Sequence, residues 1–410
     1  MAGQPARIAR ARALQALRSR DFRLLWSGQT VSLVGDGAFI IALGWRTTQL
    51  TGKSSAFALV LMLHGLALLT TLLIGGALAD RHSRRLMMIG SDLVRCAVIG
   101  ALAVTDATGH LSFPLLLGFA VAFGLGDGFF YPAFGGIVPL VVESHQLASA
   151  NTLIAASRQG AFFVGPGLAG SVYGLAGSSA VFGFDAATFV VSALLLVLAR
   201  TRAFEPEEHA GTFRSIADGV RYVADVPWLW IGIAVSAFVL MVAMAPFNAL
   251  LPRFVQQEYN RGVGAYGLVF ALLSAGMVVG TLIFGQVNPR RYRLAQFFGF
   301  LSLNDVLMVG ATQTHSYAAA LALMVGRGML IGYGISCWTT LLMEEVPTSK
   351  LARVTSLDFF GSTGLVPLGY GLTALIAPIA SPARILLVGF SLGMAFWASP
   401  LLVRRVREAA

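Results

Sequence analysis

The sequence predicts an all-α integral membrane protein whose twelve transmembrane helices form two six-helix bundles. Three observations predict this fold class: an apolar composition, twelve hydrophobic segments of membrane-spanning length, and an internal repeat. Of the 410 residues, 56% are hydrophobic and 12% are charged, and the charged share is about half that of a soluble domain. A water-soluble fold of this size cannot hide so much apolar surface, so lipid is the expected solvent.

Twelve apolar segments are each close to or longer than the ~20 residues that cross a bilayer as a helix. They cover residues 22–45, 55–79, 86–105, 112–141, 147–173, 181–199, 228–250, 263–284, 294–313, 316–343, 352–378 and 382–403. The predicted organisation is a basic cytoplasmic segment at 1–21, a first six-helix bundle at 22–199, a cytoplasmic linker at 200–227, a second bundle at 228–403 and a cytoplasmic tail at 404–410.

Lysine and arginine are distributed unequally between the alternate loops. Counted with the loop in which they lie or which they adjoin, 21 of them fall on the side of the two termini and 5 on the other side. Membrane proteins keep an excess of positive charge on the cytoplasmic side. We therefore expect a multi-pass protein of the inner (cytoplasmic) membrane with both termini in the cytoplasm. This topology also explains the net charge of +10, so no nucleic-acid partner is expected.

The two halves of the chain repeat each other with an offset of about 204 to 210 residues. The segment LASANTLIAASRQGAFFVGPG at 147 aligns with LARVTSLDFFGSTGLVPLGYG at 351, which places Gly165 over Gly369. Six spans followed by six spans in the same orientation form a parallel repeat about an axis along the membrane normal.

The linker between the halves has an amphipathic pattern. Phe213, Ile216, Val220 and Val223 fall on one helical face of an otherwise polar stretch. This pattern predicts a short helix lying on the cytoplasmic membrane surface.

A charged loop, GALADRHSRRLMM at 76–88, follows the second span. It resembles the cytoplasmic loop motif of the major facilitator superfamily, G-x-L-A-D-R-x-G-R-R/K, with Ser83 in place of the second glycine. The matching residues are Gly76, Leu78, Ala79, Asp80, Arg81, Arg84 and Arg85. Together with the twelve spans, the two halves and the long linker, the resemblance covers the whole chain.

The resemblance implies a cytoplasmic latch, meaning a charged cluster that holds the two halves together. In the family the aspartate, here Asp80, faces the positive end of the eleventh span. The arginines are expected to pair with an acid at the end of the fourth span, for which Glu143 is the candidate. Asp358 is expected to belong to the same cluster, and Gly76 to allow close helix packing at the turn. The alternative is that the arginines only follow the positive-inside bias.

A second motif, GPGLAG at 165–170, lies in the fifth span. It resembles the G-P-x-x-G element of the antiporter, or exporter, branches of the superfamily, and the surrounding sequence resembles the bacterial drug and siderophore exporter branch. Pro166 removes a backbone donor and kinks the helix, while Gly165, Gly167 and Gly170 let a partner helix approach. Ordinary small-residue packing is the alternative.

Four charged residues inside the spans are candidates for a proton or substrate site. Placing an ionised side chain at mid-bilayer raises the free energy of membrane insertion by about 2.5–3.5 kcal/mol, so a charged residue there is expected to have a functional or structural role. Asp36 and Asp127 lie midway along spans one and four, which line the cavity in this family, and desolvation favours the protonated form of a carboxylate. Arg158 and Arg327 are expected to pair with these acids or with an anionic group. A purely structural role is the alternative for each.

Five other polar residues in the spans receive structural interpretations. Asp92 and Arg95, at positions i and i+3, are expected to neutralise each other. Asp185 and Asp305 are expected near the outer ends of their spans, where water reaches them. His64 is interpreted as a packing residue.

The function expected from these features is export of small amphipathic molecules, such as drug-like compounds or secondary metabolites, by proton antiport with alternating access. A same-fold uptake symporter for a nutrient, siderophore or lysolipid is the alternative. The sequence has no P-loop segment, no metal-ligand spacing and no paired nucleophile and base. We therefore expect no enzyme activity, metal or cofactor, and a monomer that a proton gradient drives.

Overall fold

The computed structural model describes residues 14–79, 81–202, 212–287 and 291–402; the side chains of 73, 212–217, 348, 349 and 352 lie outside the described set. The described residues form helices and connecting turns, and no strand occurs among them. The predicted all-α membrane fold is confirmed.

Five long helices form the first half of the chain. They are α1 (Arg20–Thr51), α2 (Ser54–Ala79), α3 (Arg84–Ala107), α4 (Phe113–Ile137) and α5 (Leu147–Leu198), with short 3₁₀ turns at Gln15–Arg18, Val138–Leu140 and Ser144–Gln146.

Helix α5 contains two transmembrane spans. Its 52 residues would extend about 80 Å at 1.5 Å per residue, more than twice the ~30 Å hydrocarbon core of a bilayer. The helix is interrupted at Gly177, whose φ of 79° is a backbone conformation that glycine adopts without steric cost. Residues 147–176 and 178–198 therefore form the fifth and sixth spans.

The second half begins with the linker helix and continues with six further spans. Its helices are α6 (Thr212–Asp225), α7 (Pro227–Val239), α8 (Ala245–Tyr259), α9 (Val263–Val287), α10 (Arg293–Gln313), α11 (Tyr317–Glu345), α12 (Thr348–Thr363), α13 (Val366–Ile376) and α14 (Pro382–Ala398). A π-helical turn, Leu240–Met244, joins α7 to α8 within one span. Eleven helical stretches of the described chain are long and apolar enough to cross a membrane, and the division of α5 makes twelve.

Contacts between residues divide the chain into two compact units. Unit 1 comprises Met1–Leu50 and Leu63–Glu208, and unit 2 comprises Thr51–Met62 and His209–Ala410. The boundary falls near the predicted division into bundles, except that the start of α2 belongs to unit 2.

In unit 1, α2 and α4 cross with their backbones almost in contact. A Cβ atom added to Gly75 would meet the carbonyl oxygen of Gly128, and one added to Gly124 would meet the carbonyl oxygen of His64. Gly76 was expected to fill this role, and that expectation is wrong. Within the described chain, a Cβ on Gly76 would meet no atom within 4 Å, because one residue turns the position by about 100° around the helix.

In unit 2, α9 and α11 cross in the same manner. Gly276 and Gly280 on α9 face Gly328 and Gly332 on α11, and an added Cβ at any of the four would meet backbone atoms of the other helix. Both pairs have the small-xxx-small spacing that lets membrane helices approach closely.

The repeat predicted from the sequence has a structural counterpart in a second type of crossing. In unit 1, Gly165 on α5 packs on Gly37 of α1, and an added Cβ would lie 2.8 Å from the Cα of Gly37. In unit 2, the aligned Gly369 on α13 packs on α8, and its added Cβ would lie 2.8 Å from the Cβ of Ala245. Span five crosses span one as span eleven crosses span seven.

The amphipathic helix predicted in the linker is present as α6. The side chains of Phe213 and Ile216 lie outside the described set. Val220 is 51% exposed and Val223 is half-buried, so the apolar face is only partly covered.

Candidate functional site

A cluster of charged side chains lies inside unit 1, with Arg95 of α3 at its centre. Arg95 is 2% exposed and donates to the Oδ1 atom of Asp92 on its own helix. Its Nη1 also donates to the Oδ1 atom of Asp127 on α4, at 3.2 Å. The predicted Asp92–Arg95 pair is confirmed. The position of Asp127 is new, because one guanidinium is shared by two carboxylates.

Two aromatic rings enclose the guanidinium of Arg95. Its Cζ atom lies 4.0 Å from the ring centroid of Phe130 and 4.4 Å from that of Phe189. A planar, weakly hydrated guanidinium can stack on such rings and still bond to carboxylates in its plane, which an ammonium group cannot do. An arginine at position 95 can therefore stack on both rings and bond to both carboxylates at the same time.

His64 connects the cluster to its surface. Its Nε2 atom lies 3.0 Å from the Oδ2 atom of Asp127, and its side chain is 27% exposed. The ring stacks on Phe123, with centroids 5.6 Å apart. Our interpretation of His64 as a packing residue was wrong. The partner lies 63 positions along the chain, so only the glycine-mediated α2–α4 crossing brings it close.

Asp92 extends the network to α5 and α1. Its Oδ2 atom accepts a hydrogen bond of 2.7 Å from the hydroxyl of Ser192. The Ser192 oxygen in turn accepts from the side-chain amide of Gln29 at 2.8 Å. Three helices are thereby connected through neutral donors, which satisfies the second oxygen of a fully buried carboxylate.

Asp36 lies beside this network on α1. The residue is half-buried, and its Oδ1 atom is buried without a hydrogen-bond partner among the described residues. Arg95, Asp127, Asp92 and His64 are all close enough to act on Asp36 electrostatically. A buried carboxyl oxygen without a donor is unfavourable, so Asp36 is less well satisfied by its neighbours than Asp92 or Asp127.

Asp185 is also part of the cluster, and our expectation of a hydrated residue was wrong. The residue is 0% exposed, and among the described residues its Oδ2 atom has no hydrogen-bond partner. A Cβ on Gly35 would collide with its carboxylate. Asp185 is therefore packed directly against the helix that carries Asp36.

The cluster contains more carboxyl groups than positive charges. Asp92 and Asp127 contact the guanidinium of Arg95, and Asp36 and Asp185 lie near enough to interact with it electrostatically. The other basic group of the described cluster is the His64 imidazole, which is charged only when it is protonated. Full ionisation would leave a net charge of at least −2 in a site of low dielectric constant, which is strongly unfavourable. Such a cluster can take up and release protons, and the protonation of its members is coupled.

A second buried arginine lies in unit 2. Arg327 on α11 is 1% exposed and donates from Nε to the Oδ1 atom of Asn304 at 3.1 Å. The amide of Asn304 donates to the Oδ1 atom of Asp305 at 2.8 Å. The guanidinium lies 4.9 Å from the ring centroid of Phe247 and 4.8 Å from that of Phe390. Asp305 is 1% exposed, so our expectation of a hydrated residue was wrong here too.

The partners predicted for the two arginine candidates are not those found. Arg327 bonds to Asn304 within unit 2. Arg158 is exposed on α5, and in the described chain no ion pair within 4.0 Å joins it to Asp36 or Asp127. Arg95, which we expected to pair with Asp92 alone, occupies the place that we predicted for Arg158.

The GPGLAG segment contacts the helix that carries Asp36. Gly165 and Pro166 are buried, and Gly170 is half-buried. The expectation that Gly167 admits a partner helix is wrong, because it is exposed and an added Cβ would meet no described atom within 4 Å. The added Cβ of Gly37, the residue after Asp36, would lie 3.0 Å from the carbonyl oxygen of Ala161 and 3.4 Å from the Cδ atom of Pro166. The motif therefore fixes the backbone of α1 next to its buried acid.

Comparison with known proteins identifies the family of the chain. The model of the family described as Major Facilitator Superfamily matches residues 25–367. The chain belongs to the major facilitator superfamily.

Similar superfamily members include drug and siderophore exporters. Macrolide efflux protein A of Streptococcus pyogenes is 23% identical over 376 residues, covering 87% of this chain and 89% of the relative. Enterobactin exporter EntS of Salmonella choleraesuis (strain SC-B67) is 26% identical over 376 residues, covering 88% of this chain and 87% of the relative. The predicted resemblance to this exporter branch is confirmed.

Solved transporter structures share the fold. A bacterial homologue of the human lysosomal transporter Spinster, inward-facing and unoccupied, has a TM-score of 0.73 at 15% identity, covering 93% of this chain and 95% of that chain. A point mutant of the nucleoside transporter NupG has a TM-score of 0.74 at 11% identity, covering 93% of this chain and 98% of that chain. These similarities show the fold, which agrees with the family match and with the membrane-spanning helices.

Within the superfamily loop motif, Asp80 lies outside the described residues, and the residues on both sides of it are described. Arg81 is exposed. Arg84 donates to the carbonyl oxygen of Gly136 at 2.6 Å, and Arg85 donates to the carbonyl oxygens of Leu196 and Val197 at 2.8 and 2.5 Å. These carbonyls belong to the ends of α4 and α5, where helices leave acceptors unpaired and carry partial negative charge. The arginines therefore stabilise helix ends within unit 1.

The two acids expected in the latch have local partners. The Oε2 atom of Glu143 lies 3.2 Å from the Nδ1 atom of His145, and the glutamate side chain is 65% exposed. Asp358 accepts from the indole of Trp338 at 3.0 Å and from the hydroxyl of Ser362 at 3.4 Å, all within unit 2. A latch centred on Asp80 remains a prediction.

Proposed function

We propose that this transporter exports small amphipathic molecules in exchange for protons, by alternating access, from the cytoplasmic membrane with both termini in the cytoplasm. The efflux proteins among its relatives support the direction of transport. The distribution of lysine and arginine between the loops supports the orientation.

The excess of carboxyl groups around Arg95 supports proton coupling, and this single observation carries the proposal. Among the described residues, Asp36 and Asp185 each have a buried carboxyl oxygen that lacks a donor, while the partly exposed His64 forms the outer end of the cluster. In the proposed cycle, protons that enter through His64 neutralise the cluster and release the ligand. Loss of the protons restores the negative charge, which favours rebinding of a neutral or cationic amphipathic ligand.

The coupling follows from differential affinity. Only a proton that binds more tightly to one state than to the other shifts the equilibrium between inward-open and outward-open forms. A cluster that is buried in one state and hydrated in the other satisfies this requirement, because desolvation penalises its charge in the buried state. No nucleotide enters the cycle.

The test is transport into inverted membrane vesicles from cells that overproduce the protein. A macrolide, a catechol siderophore and a lipophilic cation are offered as substrates with a proton gradient imposed, with and without an uncoupler. Export predicts accumulation in the vesicles that the uncoupler abolishes. Uptake symport predicts substrate loss from preloaded vesicles, and this result would replace the proposal.

A matched pair of variants assigns the proton site. Asp36→Asn removes the titratable group without changing the shape of the side chain. Gradient-driven transport should fall to the level of vesicles that lack the transporter, while ligand binding persists. Asp218→Asn makes the same change at an exposed position on α6 and should transport normally. Unimpaired proton-driven transport by Asp36→Asn would exclude Asp36 as an essential carrier.

A further inference from the structure

An apolar groove lies within unit 2, where the linker helix α6 meets the first turns of α7 and the side of α12. Its volume is about 440 Å³, within the 300–1,000 Å³ of sites that hold small ligands. Its lining residues are Val220, Val223, Ala224, Trp230, Ile233 and Leu357. Trp230 and Val220 are 47% and 51% exposed, so the groove is open along one side.

Glycine at position 219 determines how α6 borders this groove. A Cβ at Gly219 would lie 3.0 Å from the Cδ1 atom of Leu357 and 3.6 Å from the Cβ atom of Arg353. The backbone of α6 therefore lies directly on α12. A larger residue would move α6 away from α12.

Helix α12 presents two cations in line with the apolar groove. Lys350, Arg353 and Leu357 follow the i, i+3, i+7 spacing of one helical face, and both cations are exposed. The Nζ atom of Lys350 lies 4.4 Å from the ring centroid of Tyr222 on α6, which holds the ammonium at the junction of the two helices. Along this face of α12, the two basic residues are followed by the apolar side chain of Leu357, which lines the groove.

Within the described parts of the chain, no ion pair within 4.0 Å joins Lys350 or Arg353 to an acidic side chain. Asp218 and Asp225 are exposed on α6, one turn before and one turn after Tyr222, with Arg221 between them. Asp358 accepts its hydrogen bonds from Trp338 and Ser362. Lys350 and Arg353 are therefore available to an external anion.

We propose that this groove binds one anionic phospholipid, with its phosphate at Lys350 and Arg353 and an acyl chain along Leu357 and Ile233. The occupant is a membrane lipid because Trp230 and Ile233 lie in the first two turns of a transmembrane span, at the level where an indole ring sits between headgroups and hydrocarbon. The positive-inside bias assigns this end of the span to the cytoplasmic leaflet, which carries anionic lipids. The bound lipid would secure α6 to unit 2, and this inference does not depend on the transported substrate.

The experiment uses the full-length protein in nanodiscs of phosphatidylcholine that contain increasing amounts of phosphatidylglycerol with brominated acyl chains. Bromine quenches tryptophan at short range, and Trp230 is an internal probe of the groove. Quenching should saturate at a low fraction of brominated phosphatidylglycerol. Trp230→Phe should remove the saturable component, which assigns it to the groove.

Charge variants test recognition of the headgroup. Each basic residue near an anionic surface contributes about 1 kcal/mol, so Lys350→Gln with Arg353→Gln should weaken the saturable binding about 30-fold. The control, Arg200→Gln with Arg202→Gln, removes two exposed charges from the same predicted side and should leave binding unchanged. Ala224→Phe fills the groove without changing charge and should abolish saturable quenching.

Three results would overturn the proposal. Brominated phosphatidylcholine that quenches at the same mole fraction would show that the groove takes acyl chains without regard to the headgroup. If both double charge variants weaken the saturable binding equally, the effect comes from the net charge of the protein and not from a headgroup site at Lys350 and Arg353. Saturable quenching that survives in Trp230→Phe would place the lipid elsewhere.

Discussion

A single added methyl group at Gly165 should destabilise unit 1, whereas the same change two residues later should not. In Gly165→Ala the new Cβ would lie 2.7 Å from the carbonyl oxygen of Val34 and 2.8 Å from the Cα atom of Gly37. Both are backbone atoms of α1, which cannot rotate away as a flexible side chain can. To reach an ordinary contact of 3.4 Å, the two helices must separate by at least about 0.7 Å.

The magnitude follows from the cost of overpacking and from a matched control. Inserting a methyl group into a closely packed site costs about 1–3 kcal/mol. Replacing glycine by alanine inside a helix is favourable by up to about 1 kcal/mol. Gly167 lies on the same helix, and a Cβ there would meet no described atom within 4 Å. Subtracting the effect of Gly167→Ala therefore removes the helix-propensity contribution and isolates the clash.

The assay is thermal unfolding of both purified variants in one detergent, followed by tryptophan fluorescence. At about 2–4 °C per kcal/mol, the Tm of Gly165→Ala should lie roughly 2–12 °C below that of Gly167→Ala. Because Gly37 adjoins Asp36, the separation of the helices also displaces the buried acid. Proton-driven transport should accordingly fall in Gly165→Ala and persist in Gly167→Ala. Equal Tm values for the two variants would refute the argument that this motif is a backbone contact.

Two further predictions concern the charged cluster and the topology. Arg95→Gln leaves two buried carboxylates without their cation and should lower the free energy of unfolding by about 3–5 kcal/mol. Adding Asp92→Asn should restore part of the lost stability. A double variant that is no more stable than Arg95→Gln alone would show that charge balance is not the cause. In a chain without its native cysteines, His110→Cys should react with a membrane-impermeant maleimide in intact cells, and Arg202→Cys only after permeabilisation. The reverse labelling pattern would invert the proposed orientation.

The helices could be predicted from the sequence because the physical requirement is local. A span needs about 20 apolar residues wherever its neighbours lie, and the break in α5 falls at Gly177, between the predicted fifth and sixth spans. The family resemblance rested on motifs whose residues are contiguous or nearly so, and the match to the family model confirms it.

The partners within the site could not be predicted, because they depend on how helices rotate and cross. Asp127 was recognisable as an intramembrane acid, but its two partners come from α2 and α3. The burial of Asp185 depends on Gly35, 150 positions earlier, which leaves room for its carboxylate. The close approach at Gly75 instead of Gly76 is a difference of one residue in helix phase, which a sequence motif cannot resolve.

The two units share their backbone contacts but not their chemistry, and this difference suggests a division of labour. Each unit buries one arginine between two phenylalanine rings, and each crosses its first and fifth spans at an aligned glycine. In unit 1 the residue before the crossing point is Asp36; in unit 2 the residue before Ala245 is Met244. Arg327 reaches one carboxyl group through an asparagine. Arg95 contacts two carboxyl groups directly and interacts electrostatically with two more. A duplicated scaffold therefore accounts for the shared crossings, while the carboxyl groups near a buried arginine are concentrated in the first copy.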